Sequence, residues 1–263
     1  MNFEQLTSYI RLYCDDCIST MRTLPDASID FIIADPPYKL EMPERNGVSD
    51  LLAGKNITLV NEYWDKFDLN SYLDFSEQWL REGFRLLKPA GSMVIFGTYH
   101  NIGLVNYLLQ RNGWMIINEI AWYKRNAVPN LACRRLTASY ETILWAASDK
   151  RYTFHYEDLK EGVFPDDRLK LPGKQMRNVW DIPTNSAEAV GHPTQKPVQL
   201  YERLLMMGCP KGAEAVVLDP FAGSGTLGIA VRRFECQAIL IEKDERYQEL
   251  IRHRLMAPSI TFV

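Results

Sequence analysis

Little in this sequence points to a membrane, an oxidising compartment or a uniformly basic surface. No apolar run among its 263 residues is long enough to span a bilayer. The opening "MNFEQLTSYIRLY" lacks a basic segment followed by an apolar stretch, so no secretory leader is read there. Only five cysteines are present, an odd number without a convincing disulfide framework, which favours a reducing, cytoplasmic setting. Net charge is only −3, so any nucleic-acid surface must be a local patch. Internal repeats and low-complexity tracts are also missing. What remains is globular: 46% hydrophobic and 24% charged residues, in a chain long enough to bury a core without disulfides.

Strand-like and helix-like segments alternate. Residues 29–34, "IDFIIA", are a continuous apolar run suited to a strand buried on both faces. A helix is expected over 73–87, stopped by "KPAG", then a strand over 92–97 and a helix over 101–113 closed by glycine. "WMIINEIAWYK" and "ETILWAAS" read as strands, and "KPVQLYERLLMMG" (196–208) as a helix with proline at its start and glycine at its end. A strand at 214–219, a helix through Arg233, a strand at 236–242 and a helix at 244–256 complete the pattern. The expected fold is a single α/β domain over 1–263, a doubly wound, mostly parallel Rossmann-like sheet with helices on both faces. Two stretches break the alternation, 39–62 and 150–191, and aperiodic segments of this length are usually functional.

Residues 216–226 read "VVLDPFAGSGT". A buried strand ends at Asp219, glycines follow at Gly223 and Gly225, and a helix starts near Thr226. Glycine permits positive φ and close approach of backbone to a ligand, and strand ends of α/β sheets are where ligands bind. Glu242, ending the next strand, suits a grip on ribose hydroxyls. The plain alternative is a tight turn with a packing glycine. The expression G-x-G-x-x-G does match "GSGTLG", yet Asp219 would repel a pyrophosphate. A sulfonium cofactor with a cationic amino-acid end and no phosphate fits better, which points to S-adenosylmethionine.

Residues 35–38 read "DPPY". The Pro36–Pro37 pair has no N–H to donate and fixed φ angles, so it makes a stiff, acceptor-only corner. The Asp35 carboxylate and the Pro36 carbonyl can then both accept from one –NH2 group, and Tyr38 offers a ring for base stacking. Such a pair of acceptors would localise the lone pair of an aromatic amine toward a methyl donor. The plain alternative is a proline turn with a capping aspartate.

Together, "DPPY" and "DPFAGSGT" resemble the catalytic and cofactor motifs of DNA amino-methyltransferases. Their order, catalytic motif first, resembles the beta class of that family, as do "WYKRNAVPN", "RRLTASYETILWA" and "HPTQKP". The resemblance implies an adenine-specific enzyme that flips its base out of the duplex, since the aspartate form of the tetrad is typical of adenine enzymes and the serine form of cytosine enzymes. Cytosine N4 or RNA amine transfer, a silent DNA-binding module and a nicotinamide oxidoreductase are the alternatives. The resemblance places Asp35, Pro36, Pro37 and Tyr38 at the reaction. It places Asp219, Phe221, Ala222, Gly223, Ser224, Gly225, Thr226 and Glu242 around the cofactor, and also Asp35. Asp16 would approach its adenine, although Asp15 stands where glycine is usual. Lys196 would pair with its carboxylate, and Thr194 would add a contact.

Metal or redox chemistry is not expected, because Cys14-x-x-Cys17 has no second ligand pair. His192 lies in the "HPTQKP" motif, where it would hold the loop. The resemblance makes 150–191 the target-recognition segment, with Arg168, Lys170, Lys174 and Arg177 on DNA beside Arg134 and Arg135; solvated surface is the usual reading of such runs. Double-stranded DNA is the expected partner, with a homodimer and a cognate restriction endonuclease as further expectations.

Overall fold

The computed structural model describes residues 3–38, 68–127, 129, 133–134, 136–184 and 195–256. The expected 39–62 loop, Thr194, His192 and Arg135 lie outside them.

Among the described residues, nine strands form one sheet in the order β1-β2-β9-β8-β3-β4-β6-β5-β7. The central strands are β3 (Ile29–Ala34), β4 (Leu87–Gly97), β8 (Val216–Asp219) and β9 (Gln237–Ile241), all mutually parallel along the order 9-8-3-4. Beyond them, β6 (Tyr140–Ala147) runs antiparallel to both β4 and β5 (Met115–Tyr123), and β7 (Val179–Asp181) lies parallel to β5. The sheet is thus parallel at its centre and mixed on one flank, in keeping with the α/β expectation.

Alternation along the strands sends side chains to two cores. Phe31, Ile33, Val94, Phe96, Val217 and Leu240 face α5 (Val198–Gly208), α6 (Thr226–Ala230) and α7 (Glu245–Met256). Ile32, Met93, Ile95, Leu218 and Ile239 face α1 (Cys17–Met21), α2 (Leu69–Leu86) and α3 (Ile102–Arg111). Burial on both faces explains why these strands read as unbroken apolar runs. Helix starts are set by side-chain caps: Asp68 accepts from the N–H of Asn70 and Ser71 at 3.0 and 3.1 Å, and Asp16 from that of Ser19 at 3.0 Å.

Several boundaries differ from the expectation. An N-terminal hairpin, β1 (Glu4–Thr7) and β2 (Ile10–Tyr13), adds β2 parallel to β9. Strand β4 begins at Leu87, directly after α2, and the register shift between Ile29 and Phe31 absorbs Pro89 and Gly91. The aperiodic 150–191 stretch contains α4 (Tyr156–Glu161) and β7. Among the described residues no helix is long and apolar enough to cross a membrane.

The connections position the site. From β8 the chain crosses to β9 on one side, whereas from β3 it crosses to β4 on the other. The crevice outside the C-terminal ends of β3 and β8 is therefore a topological switch point, the place where such sheets take ligands.

Candidate active site

Two acidic loop ends flank this switch point. Asp35 follows β3, and the rigid Pro36–Pro37 backbone turns the chain at once. Its Oδ2 accepts from Lys196 Nζ at 2.6 Å, and the Tyr38 hydroxyl donates to its Oδ1. A second carboxylate, Glu141 near the start of β6, completes the cluster. Its Oε1 accepts from Lys124 Nζ at 2.8 Å; its Oε2 lies 3.5 Å from Lys196 Nζ and 3.4 Å from the Tyr38 hydroxyl. Two acids and two ammonium groups thus balance in a largely buried space. Burial pushes the Asp35 carboxyl upward, against the pull of Lys196. Burial also opposes ionisation of Glu141, but Lys196 and Lys124 outweigh it and hold that carboxyl below its usual range. For Lys196, burial is outweighed by Asp35 and Glu141, which keep the ammonium charged.

Across the crevice, buried Asp219 ends β8. Its Oδ1 accepts the Phe221 N–H at 3.0 Å and its Oδ2 lies 3.4 Å from the Tyr201 hydroxyl. Burial pushes its pKa up to about 8, partly offset by the Phe221 N–H. The loop then turns through Gly223 and Gly225 at φ 52° and 75°. At Gly225 a Cβ would also stand 3.1 Å from Ile251 Cγ1, so both backbone and space call for glycine. The Gly223 N–H donates to Glu242 Oε2 at 2.8 Å, and Glu242 Oε1 accepts from Asp244 N–H at 2.8 Å. The Thr226 hydroxyl donates to the Lys196 carbonyl at 3.3 Å, joining the glycine loop to the segment that carries the cation. Tyr201 stacks on Phe96 with centroids 5.9 Å apart, and Lys196 Nζ stands 5.2 Å over the same Phe96 ring. Polar acceptors on one side and a backbone cradle on the other can hold an amine and a cationic nucleoside at one strand edge.

The DNA methylase family of N6 and N4 enzymes matches residues 29–253. The chain belongs to this family. Relatives agree with the assignment. The type II methyltransferase M2.DpnII of Streptococcus pneumoniae is 37% identical over 94% of this chain and 89% of its own length. M2.LlaDCHI of Lactococcus lactis subsp. cremoris is 36% identical over 91% of this chain and 87% of its own. Among solved structures, the M1.HpyAVI complex with S-adenosylmethionine is 26% identical, with a TM-score of 0.64 over 94% of this chain and 98% of that one. The cytosine-N4-specific PvuII methyltransferase reaches a TM-score of 0.73 at 16% identity, covering 98% of this chain and 89% of that one, a likeness of fold alone.

In this methylase the two motifs do meet at one edge, with Asp35, Lys196, Asp219, the glycines and Glu242 around the same crevice. Several side chains sit differently from expectation. Tyr38 does not present an open ring: it is buried, its hydroxyl turned to Asp35 and Glu141 and its face 5.2 Å from Lys196 Nζ. Lys196 reaches Asp35 itself. Phe221 turns away from the crevice onto Trp79, edge to face at 5.5 Å. The Ser224 carbonyl is held by Arg254 at 2.8 Å. Asp16 caps α1 beside the end of β2. In the 150–191 stretch, Arg168, Lys174 and Arg177 are exposed, as is Arg134. Lys170 is not part of an open basic face: its Nζ donates to the Lys160 carbonyl, one of the C-terminal carbonyls of α4 that need donors, and to the neighbouring Leu171 carbonyl, both at 2.8 Å. All five cysteines are free thiols, and no group of three or more potential metal-ligating side chains occurs among the described residues.

Sequence reasoning missed Glu141 and its pairing with Lys124. The available signal was Glu141 itself, an acid at the mouth of a strand whose next six residues are buried.

Proposed function

We propose that this DNA methylase transfers a methyl group from S-adenosylmethionine to the exocyclic 6-amino group of adenine in double-stranded DNA. The observation that carries the reading is the Asp35–Pro36 corner facing the Asp219–Thr226 glycine loop across the switch point. The aspartate form of that corner favours adenine.

The residues fit the cofactor. The loop supplies a close backbone approach at Gly223 and Gly225, and Glu242 lies at the adjoining strand end for the ribose. The buried Asp219 carboxyl holds its proton to about pH 8 and would give it up beside a ligand that carries positive charge and no phosphate. Asp16 and Thr194 are assigned to the nucleoside and amino-acid ends, and Lys196 to the cofactor carboxylate as well as to Asp35. When bound, the cofactor supplies an electrophilic methyl on a sulfonium. The chain's own work is orientation. Asp35 and the Pro36 carbonyl accept the two amine N–H bonds, the amine replacing the Tyr38 hydroxyl at Oδ1. The nitrogen lone pair is thereby aimed in line at the methyl, and preorganised acceptors of this kind are the main source of catalysis in such sites. Once its hydroxyl gives up both Asp35 and Glu141, the Tyr38 ring is to turn outward and stack on the flipped base. The proton is acidic once nitrogen is alkylated, so Asp35 serves as an orienting acceptor.

The 150–191 segment is read as the target-recognition region, with Arg134, Arg135, Arg168, Lys174 and Arg177 on phosphates or guanine edges. So short a segment covers little of a duplex, which favours a homodimer. The type II names of the relatives support a cognate restriction endonuclease as the partner activity.

The test is incubation of duplex DNA with methyl-labelled cofactor, digestion to nucleosides and mass spectrometry. Labelled N6-methyladenine is expected. Labelled N4-methylcytosine would move the assignment to the other branch of the family, and unlabelled DNA would overturn it.

A further inference from the structure

We propose that Glu141 is a positioning residue for the methyl transfer, fixing the Lys196 ammonium against Asp35. The inference rests on the reading of Asp35 as the acceptor for the target amine.

Glu141 enters the site from a separate element. Strand β6 pairs antiparallel with β4, placing Thr142 opposite Gly97, so Glu141 stands at the same edge as the end of β3. Across β5 it is paired with Trp122, one residue from the strand end at Tyr123, and Lys124 follows directly. The result is a chain of alternating charge, Lys124–Glu141–Lys196–Asp35, whose links are 2.8, 3.5 and 2.6 Å. An ammonium has three donors and no preferred direction of its own, so its position is set by what surrounds it. Here Asp35 and Glu141 hold it between them, over the faces of Tyr38 and Phe96, both at 5.2 Å.

The geometry gives Glu141 two effects. It draws part of the Lys196 charge away from Asp35, leaving that carboxylate a better acceptor for an amine. Its own charge also opposes ionisation of Asp35. Lys124 moderates both effects by pairing with Glu141. The groups facing Glu141 are Lys124 from the end of β5, Lys196 from the turn before α5, and Asp35 and Tyr38 from the corner after β3. The Asp35 charge in turn raises the Asp219 carboxyl at the end of β8 and the Tyr201 hydroxyl on α5.

The test compares Glu141→Gln and Lys124→Gln with the parent, following kcat and KM for the cofactor across pH, with thermal melting as a check on folding. Glu141→Gln keeps the shape and removes the charge. Its kcat should fall about tenfold, the scale of losing an outer partner of a functional group, with KM for the cofactor near the parent. The acidic limb of its kcat profile should move to lower pH. Lys124→Gln should move that limb the opposite way, to higher pH, because Glu141 is then less neutralised. A role confined to packing would lower stability without opposed shifts. If Glu141→Gln does not fold, the shift in Lys124→Gln decides alone. Variants with parental melting, parental kcat and coincident profiles overturn the proposal. Asp35→Asn separates the two readings. Should it keep its turnover, the acceptor corner is wrong and the role of Glu141 falls with it. Should it lose turnover while the other two behave as the parent, only the role of Glu141 is overturned.

Discussion

Two buried cations lie close together along the chain, one just before α5 and one on it, and only the first belongs to the proposed reactive site. Lys196 lies just before the first turn and Arg203 in the second; each side chain is only 4% exposed. Arg203 pairs with Asp167, whose side chain is 1% exposed, and its guanidinium stands 4.3 Å over Phe164 and 5.2 Å over Trp180. The other Asp167 oxygen accepts the Leu169 N–H at 2.9 Å. That cluster is closed, and it fastens the stretch from Phe164 to Trp180 onto α5. Asp35 is 16% exposed, shares its cation with Glu141 and sits at the strand edge beside a glycine loop. A buried ion pair therefore says little about function by itself. A carboxylate that stays reachable, beside a cradle for a second ligand, is what separates the two.

The comparison can be broken most directly at the two acids. Asp35→Ala should lower turnover by about 10³-fold, the scale of losing a preorganised polar group at a reaction centre. Its effect on cofactor affinity, measured by calorimetry, should be much smaller, and the melting temperature should change little. Asp167→Ala should do the reverse. Removing one member of a closed pair leaves a buried charge uncompensated, at a cost of about 3–5 kcal/mol. Denaturant titration should show that loss, while turnover per folded molecule is retained. Near-parental turnover in Asp35→Ala, or unchanged stability in Asp167→Ala, would erase the distinction.

How far these two clusters could be read from sequence follows from what constrains each. The Asp35 corner and the glycine loop are legible because proline and glycine restrict backbone in ways few residues can. The strand from Ile29 to Ala34 is legible because burial on both faces leaves no polar interruption. Glu141 was not legible: one acid at the start of a strand looks like a solvated end, and only the antiparallel register of β6 brings it to Lys196. The closed cluster was equally hidden, since Asp167 and Arg203 are far apart in sequence and neither belongs to a patterned motif. The strands β1, β2 and β7, of four, four and three residues, are too short for periodicity to show. The buried position of Tyr38 was missed for another reason. Its type suggested stacking, but the two carboxylates that draw its hydroxyl inward come from different strand ends.

A third acid sharpens the contrast, because Asp219 meets α5 through the Tyr201 hydroxyl at 3.4 Å instead of through a cation. Burial raises its folded pKa to about 8, whereas an unfolded aspartate titrates near about 4. Below the unfolded value both states hold the proton and the group costs nothing. As pH rises toward 8 the unfolded chain ionises while the fold retains the proton, so stability is progressively lost. Asp219→Asn removes that loss and keeps the shape. It should stabilise the fold by about 1–3 kcal/mol near pH 8 and by little near pH 4. Melting curves at the two pH values test this; a gain independent of pH would show that Asp219 is already ionised in the fold.

The smallest expected effect distinguishes a fastening cation from a DNA-facing one within the same stretch. Lys170 spends its ammonium on the Lys160 and Leu171 carbonyls, whereas Arg168, Lys174 and Arg177 are exposed. On the proposed DNA face, each cation that neutralises a phosphate adds about −0.9 to the slope of log affinity against log salt. Replacing Arg168, Lys174 and Arg177 with alanine should therefore flatten that slope stepwise. Lys170→Ala should leave the slope unchanged and cost about 0.5–1 kcal/mol of stability, the scale of a cation serving helix C-terminal carbonyls. Both readouts are needed. A flattened slope in Lys170→Ala would mean that its ammonium leaves α4 for the duplex. Parental slopes in the other three variants would mean that DNA lies against a different part of the strand edge, and the stretch fastened by Arg203 would then be structural throughout.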